Sequence, residues 1–89
     1  MPTPHEIEET IMQAICKTIQ IDRAELTPET RFDSLGASSM EVVCIVFEIE
    51  DAYDVNVVKE GRDDFKTIGD ARDLLLELLA RQDAGELAS

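Results

Sequence analysis

The residues best suited to chemistry stand in one run, Leu35-Gly36-Ala37-Ser38-Ser39-Met40-Glu41. Gly36 marks a tight turn, and Ser39 falls in the first turn of the helix predicted behind it. A helix N-terminus offers free backbone N–H groups and the positive end of the peptide dipole, and both favour an anion. A hydroxyl held there is well placed to carry a phosphate. Taken alone, such a serine is better explained as an ordinary capping-region residue.

Other constellations carry less. His5 is the single histidine and stands near the N-terminus, which argues against a Ser-His-Asp triad and against most metal sites. Asp51-Ala52-Tyr53-Asp54-Val55-Asn56 has the acidity of a calcium loop but lacks the central glycine and final glutamate of an EF-hand. There is no glycine-rich phosphate loop. Cys16 and Cys44 form no C-x-x-C pair and have no ligand-like neighbours. No catalytic residue and no metal ligand is expected.

The elements that must position Ser39 are helical. Thr3-Pro4-His5-Glu6 reads as a helix start: Thr3 caps, Pro4 suits the first position and Glu6 completes a capping box. Ile7, Ile11, Ala14, Ile15 and Ile19 follow at helical spacing, so a first helix is predicted over 4–19. The connection over 20–37 is long. Thr27-Pro28-Glu29 predicts a turn within it, and Leu26, Phe32 and Leu35 are the apolar pins that would hold it to a core. Behind Ser39 the β-branched Val42, Val43, Ile45 and Val46 would suit a strand. Two features favour a helix over 39–54. Ser38-x-x-Glu41 is a second capping box, and Val42, Ile45, Val46, Ile49 and Tyr53 form one helical face. Residues 55–58 predict an extended link, and Asp63-Asp64-Phe65 a short helix. Thr67 and Asp70 cap a last helix whose core face is Ile68, Ala71, Leu74, Leu75 and Leu78, reaching about Arg81. The expected fold is all-α: a small four-helix bundle of three longer helices and one short one.

Composition sets the class. A chain of 89 residues predicts one domain, over 1–82, with a frayed tail over 83–89. Its 20 acidic and 8 basic residues give a net charge of -12, so neither nucleic acid nor an anionic membrane is an expected partner. Proteins with basic patches are. No basic residue occurs between Arg31 and Lys59. The cysteine usage and the lack of a signal-peptide pattern predict a cytoplasmic protein. The longest apolar run, over 42–47, is too short to span a bilayer. A monomer is expected.

Two segments together resemble the acyl carrier protein family. One is Phe32-Asp33-Ser34-Leu35-Gly36-Ala37-Ser38-Ser39-Met40-Glu41, and the other is Phe65-Lys66-Thr67-Ile68-Gly69-Asp70-Ala71, similar to the start of the family's last helix. The acidic stretch Glu48-Ile49-Glu50-Asp51-Ala52-Tyr53 is also family-like, and the likeness covers nearly the whole chain. It implies a non-enzymatic carrier. A phosphopantetheinyl transferase would place 4′-phosphopantetheine on Ser39, and the arm would hold acyl groups as thioesters in fatty-acid, polyketide or related lipid biosynthesis. Where the family has Asp-Ser-Leu, this chain reads Ser38-Ser39-Met40. Met40 for Leu conserves volume. Ser38 removes a carboxylate that helps meet the transferase in the family. The literal string Asp33-Ser34-Leu35 precedes the Leu-Gly pair, so Ser34 is in the wrong place. An aminoacyl or peptidyl carrier in non-ribosomal synthesis, and an unmodified helical interaction module, remain as alternative readings.

Helix geometry adds a second surface. At about 100° per residue, Met40, Cys44, Phe47 and Asp51 lie opposite the core face of the second helix. Val43 and Asp54 flank them on one side, and Glu41 and Glu48 on the other. This is an apolar stripe rimmed by carboxylates, expected to dock acyl-loading and acyl-using enzymes through Met40, Glu41, Val43, Cys44, Phe47, Glu48 and Asp51.

Overall fold

The computed structural model describes residues 2–55 and 66–83. It contains α1 (Pro4–Thr18), α2 (Ser39–Tyr53) and α3 (Ile68–Asp83), with short 3-10 turns at Arg23–Glu25 and Phe32–Ser34. Among the described residues the only β-pairing is an isolated bridge between Arg31 and Thr67. The class is therefore all-α. The expected fourth helix at Asp63-Asp64-Phe65 lies outside the described residues, as do most of the 55–58 link and nearly all of the tail.

Each helix starts where a side chain replaces a missing backbone partner. The Glu6 N–H donates to Thr3 Oγ1 (3.2 Å) and Pro4 opens α1. At α2 the box is reciprocal: the Glu41 N–H donates to Ser38 Oγ (3.2 Å) and the Ser38 N–H to Glu41 Oε1 (2.9 Å). At α3 the Asp70 N–H donates to Thr67 Oγ1 (3.1 Å), while Asp70 Oδ2 accepts from the N–H groups of both Lys66 and Thr67 (3.2 Å each). Those two backbone donors hold the Asp70 carboxyl below the usual aspartate range.

The core follows the expected faces except at Val42, which is half-buried and lines the groove beside Ser39 instead. Ile7, Ile11, Ala14 and Ile15 of α1 are buried with Ile45, Val46 and Ile49 of α2 and Ile68, Ala71, Leu74, Leu75 and Leu78 of α3. Met12 and Leu79 join them. Tyr53 and Ile19 pack at the margin. The strand preference of the valines and isoleucines in α2 yields to the capping box and to this burial, each large aliphatic side chain adding about 1.5–3 kcal/mol. α1 packs against both other helices. Tyr53 donates its hydroxyl to Thr10 Oγ1 (2.8 Å), which donates in turn to the Glu6 carbonyl (3.0 Å). Arg72 of α3 reaches Glu8 of α1 at 3.2 Å.

The long connection is pinned by side chains and by backbone. Leu26 and Phe32 are buried, and Leu35 packs on the core. The expected turn forms, with the Thr30 N–H on the Thr27 carbonyl (3.0 Å). Three further bonds tie this loop to the start of α3: Phe32 N–H to Lys66 O (2.9 Å), Ile68 N–H to Thr30 O (3.0 Å) and Gly69 N–H to Pro28 O (2.8 Å). That close approach explains Gly69, where a Cβ would lie 3.2 Å from the Pro28 carbonyl oxygen.

Candidate functional site

Ser39 is the first residue of α2, and its side chain is exposed. The turn that delivers it is made by Gly36, whose φ of 74° is in the left-handed region that glycine enters without cost. Of the four N–H groups an α-helix leaves unpaired at its start, the capping box uses those of Ser38 and Glu41. Those of Ser39 and Met40 remain. Among the described residues the Ser39 hydroxyl makes no hydrogen bond. An accessible oxygen with two spare donors beside it at a positive helix end suits a phosphate ester.

Ser34 is differently placed. It ends the 3-10 turn Phe32–Ser34, and its hydroxyl donates to the Arg31 carbonyl at 2.8 Å. It opens no helix.

Beside Ser39 lies an open groove of about 460 Å³ lined by Phe32, Asp33, Ala37, Ser39, Val42 and Lys66. Residue-by-residue reading did not assemble it. Phe32 and Asp33 stand in one family-like segment and Lys66 in the other, and the backbone pairing of 30–32 with 66–68 brings them together. Asp33 is gripped by Arg31, with Nε on Oδ1 and Nη2 on Oδ2, both at 3.0 Å. The guanidinium, aided by Lys66 farther off, holds the Asp33 carboxyl below its ordinary range.

The far face of α2 is exposed as its register predicts. Fractional exposures are 71% for Met40, 56% for Phe47 and 42% for Val43. Cys44, Glu48 and Asp51 are exposed too, while Glu41, engaged in the cap, is half-buried. Cys44, Phe47, Glu48 and Asp51 meet Thr18 of α1 in a shallow groove of about 260 Å³. One feature of the rim departs from its linear charge pattern. Lys17 of α1 reaches Glu48 at 3.1 Å, bringing a cation to a rim that has none in sequence. Both groups are well exposed, so this pair adds little stability. His5, exposed near the N-terminus, lies within 3.9 Å of Glu9. Among the described residues no cluster of His, Cys, Asp or Glu has the makings of a metal site.

Among the described residues, a helical arrangement presents an accessible serine at a helix start beside an open groove, a geometry able to hold a phosphate-linked arm. The family described as "Phosphopantetheine attachment site" matches residues 9–75, a span that includes both Ser34 and Ser39. The chain is 37% identical over 62 residues to the "Acyl carrier protein" of Streptococcus pneumoniae serotype 4 (strain ATCC BAA-334 / TIGR4), covering 70% of this chain and 81% of the relative. The "Acyl carrier protein" of Streptococcus pneumoniae strain ATCC BAA-255 / R6 matches to the same extent, 37% over 62 residues. The chain belongs to the acyl carrier protein family. It is a carrier and not a catalyst, and its cofactor is 4′-phosphopantetheine borne on a serine. A carrier of this kind engages a phosphopantetheinyl transferase and the enzymes that load and unload it. No helix among the described residues is long and apolar enough to cross a membrane.

Proposed function

We propose that Ser39 is the attachment residue and that the protein carries acyl groups in fatty-acid, polyketide or related lipid biosynthesis. The observation that carries the site is the pairing at the start of α2. The capping box consumes two N–H donors and leaves those of Ser39 and Met40 beside an exposed hydroxyl. When bound, 4′-phosphopantetheine supplies a flexible arm whose terminal thiol holds an acyl group as a thioester. The chain's own part is to hold Ser39 at an accessible helix end and to present the docking face. The relatives' name, acyl carrier protein, and the acidity of α2 support an acyl rather than an aminoacyl cargo.

Residues 1–82 form the carrier domain in this reading. Met40, Val43, Cys44 and Phe47 supply apolar contact, with Glu41, Glu48 and Asp51 orienting basic partners. Two free cysteines support a reducing, cytoplasmic setting.

The test of the site is intact mass after incubation with coenzyme A, magnesium and a transferase of broad specificity. Wild type and Ser34→Ala should both gain one phosphopantetheine, and Ser39→Ala none. Loss of modification in a folded Ser34→Ala protein would place the arm on the wrong serine here.

A further inference from the structure

Among the described residues, Lys66 is the one basic residue on the groove that opens at Ser39. Its position does not depend on its own flexible side chain alone. The Lys66 carbonyl accepts from the Phe32 N–H (2.9 Å), and the neighbouring Thr67 bridges to Arg31, so the backbone holds Lys66 across from Phe32 and Asp33. The side chain is exposed and makes no ion pair with any described residue. The anion lining the groove is Asp33, which pairs through both oxygens with Arg31 and feels Lys66 only from farther off.

Helix stability does not account for this lysine. It precedes the N-cap Thr67, where the positive end of the α3 dipole disfavours a cation. The capping duty at this site belongs to the Lys66 backbone N–H, which donates to Asp70, and any residue but proline would supply that. An ammonium group with no ion pair among the described residues, near the Asp33 and Asp70 carboxylates but bonded to neither, stands on the same groove as the serine proposed to take a phosphodiester, in a chain of net charge -12.

We propose that Lys66 is the counter-ion of the phosphodiester on Ser39, positioning the root of the arm along the groove between α2 and the start of α3. This rests on Ser39 being the attachment residue. Lysine acts here as a compact, strongly hydrated point charge on a flexible stem. The interaction is accordingly a weak orienting one, sensitive to salt, and it leaves the arm free to swing.

The experiment is ³¹P NMR of the phosphopantetheine-loaded protein at low ionic strength. Wild type, Lys66→Gln, Lys66→Arg and, as a charge control on α1, Lys17→Gln are each loaded with coenzyme A and a broad transferase, and loading is checked by intact mass. The urea-unfolded loaded protein supplies the reference resonance. Lys66→Gln should move the folded phosphorus resonance toward that reference, Lys66→Arg should restore most of the wild-type position, and Lys17→Gln should leave it unchanged. The difference between wild type and Lys66→Gln should vanish near 1 M salt, where the screening length falls to about 3 Å. Thermal unfolding of Lys66→Gln should match wild type. A loaded, folded Lys66→Gln protein whose resonance coincides with wild type at low salt overturns the role of Lys66 and leaves the site intact. Loading that persists in Ser39→Ala overturns the site, and the role of Lys66 with it.

Discussion

The two faces of α2 are built from similar residues and meet opposite fates. Ile45, Val46 and Ile49 point inward and are buried, whereas Met40, Val43, Cys44 and Phe47 point outward and are exposed. Both sets are apolar, and they alternate in sequence. Hydrophobicity therefore does not decide which side chain enters the core. The 3.6-residue period places the two sets on different faces, and packing against α1 decides which face is covered. The lesson is that the outward stripe is not a second core without a cover. It is surface whose apolarity must be explained by what it meets.

The sharpest way to break this comparison is to truncate one residue from each face. Ile49→Ala should cost about 2–5 kcal/mol in urea unfolding, as expected for a buried aliphatic, and Phe47→Ala about 0.5 kcal/mol or less. If Phe47→Ala proved the more destabilising, the stripe would be core and the register wrong. The next largest effect concerns the box that starts α2. Ser38→Ala should cost about 0.5–2 kcal/mol, while Ser38→Asp should stay within about 0.5 kcal/mol because aspartate also caps well. Ser38→Asp should in addition speed modification by a housekeeping transferase, since it restores a carboxylate common in the family. An unchanged rate would mean that the departure at Ser38 is neutral.

The outward face can be sharpened by binding. Phe47→Ala should weaken docking of a partner enzyme, Glu48→Lys should weaken it further, and affinity should fall as salt rises. Lys17→Gln releases Glu48 from its exposed ion pair and should tighten binding by less than about fivefold. Weaker binding on that change would instead make Lys17 part of the docking surface.

The smallest effect contrasts the α3 cap with the α2 box. Asp70 is held below the ordinary aspartate value, about 3.9, by the N–H groups of Lys66 and Thr67. As pH falls the unfolded chain takes up this proton first, so the Asp70 contribution is full above about pH 5 and is lost as pH drops through the lowered folded value. The difference in urea midpoint between wild type and Asp70→Asn should be present at pH 6 and narrow as pH falls below the ordinary aspartate value. A gap of constant size across that range would show that charge is not what Asp70 contributes.

Much of this was legible in the chain because it is local. A cap needs a hydroxyl or carboxylate and a backbone N–H three residues away, and Thr3, Ser38 and Thr67 announce all three helices in that way. The faces of those helices follow from spacing alone, down to Ile68, Ala71, Leu74, Leu75 and Leu78. The turn at Thr27-Pro28-Glu29 and the pins Leu26 and Phe32 were legible for the same reason. The choice of Ser39 over Ser34 rested on position relative to the Leu35-Gly36 pair, and the two serines do differ as expected: one opens a helix, the other ends a 3-10 turn.

What only the tertiary structure decided is which distant segments share a surface. Lys17 and Glu48 are far apart in sequence, and nothing in either neighbourhood points to the other; the packing of α1 on α2 brings them to 3.1 Å. Tyr53 finds Thr10 by the same packing, at 2.8 Å. The groove beside Ser39 is the clearest case. Its walls come from Phe32, Val42 and Lys66, and they meet because backbone groups of 28–32 pair with those of 66–69. Every non-proline residue carries the same amide donor and carbonyl acceptor, so, apart from Gly69 at the closest approach, such pairing leaves no mark in side-chain type. Side-chain chemistry determined where each helix begins and which face it buries, whereas backbone pairing across the fold decided what stands next to the serine.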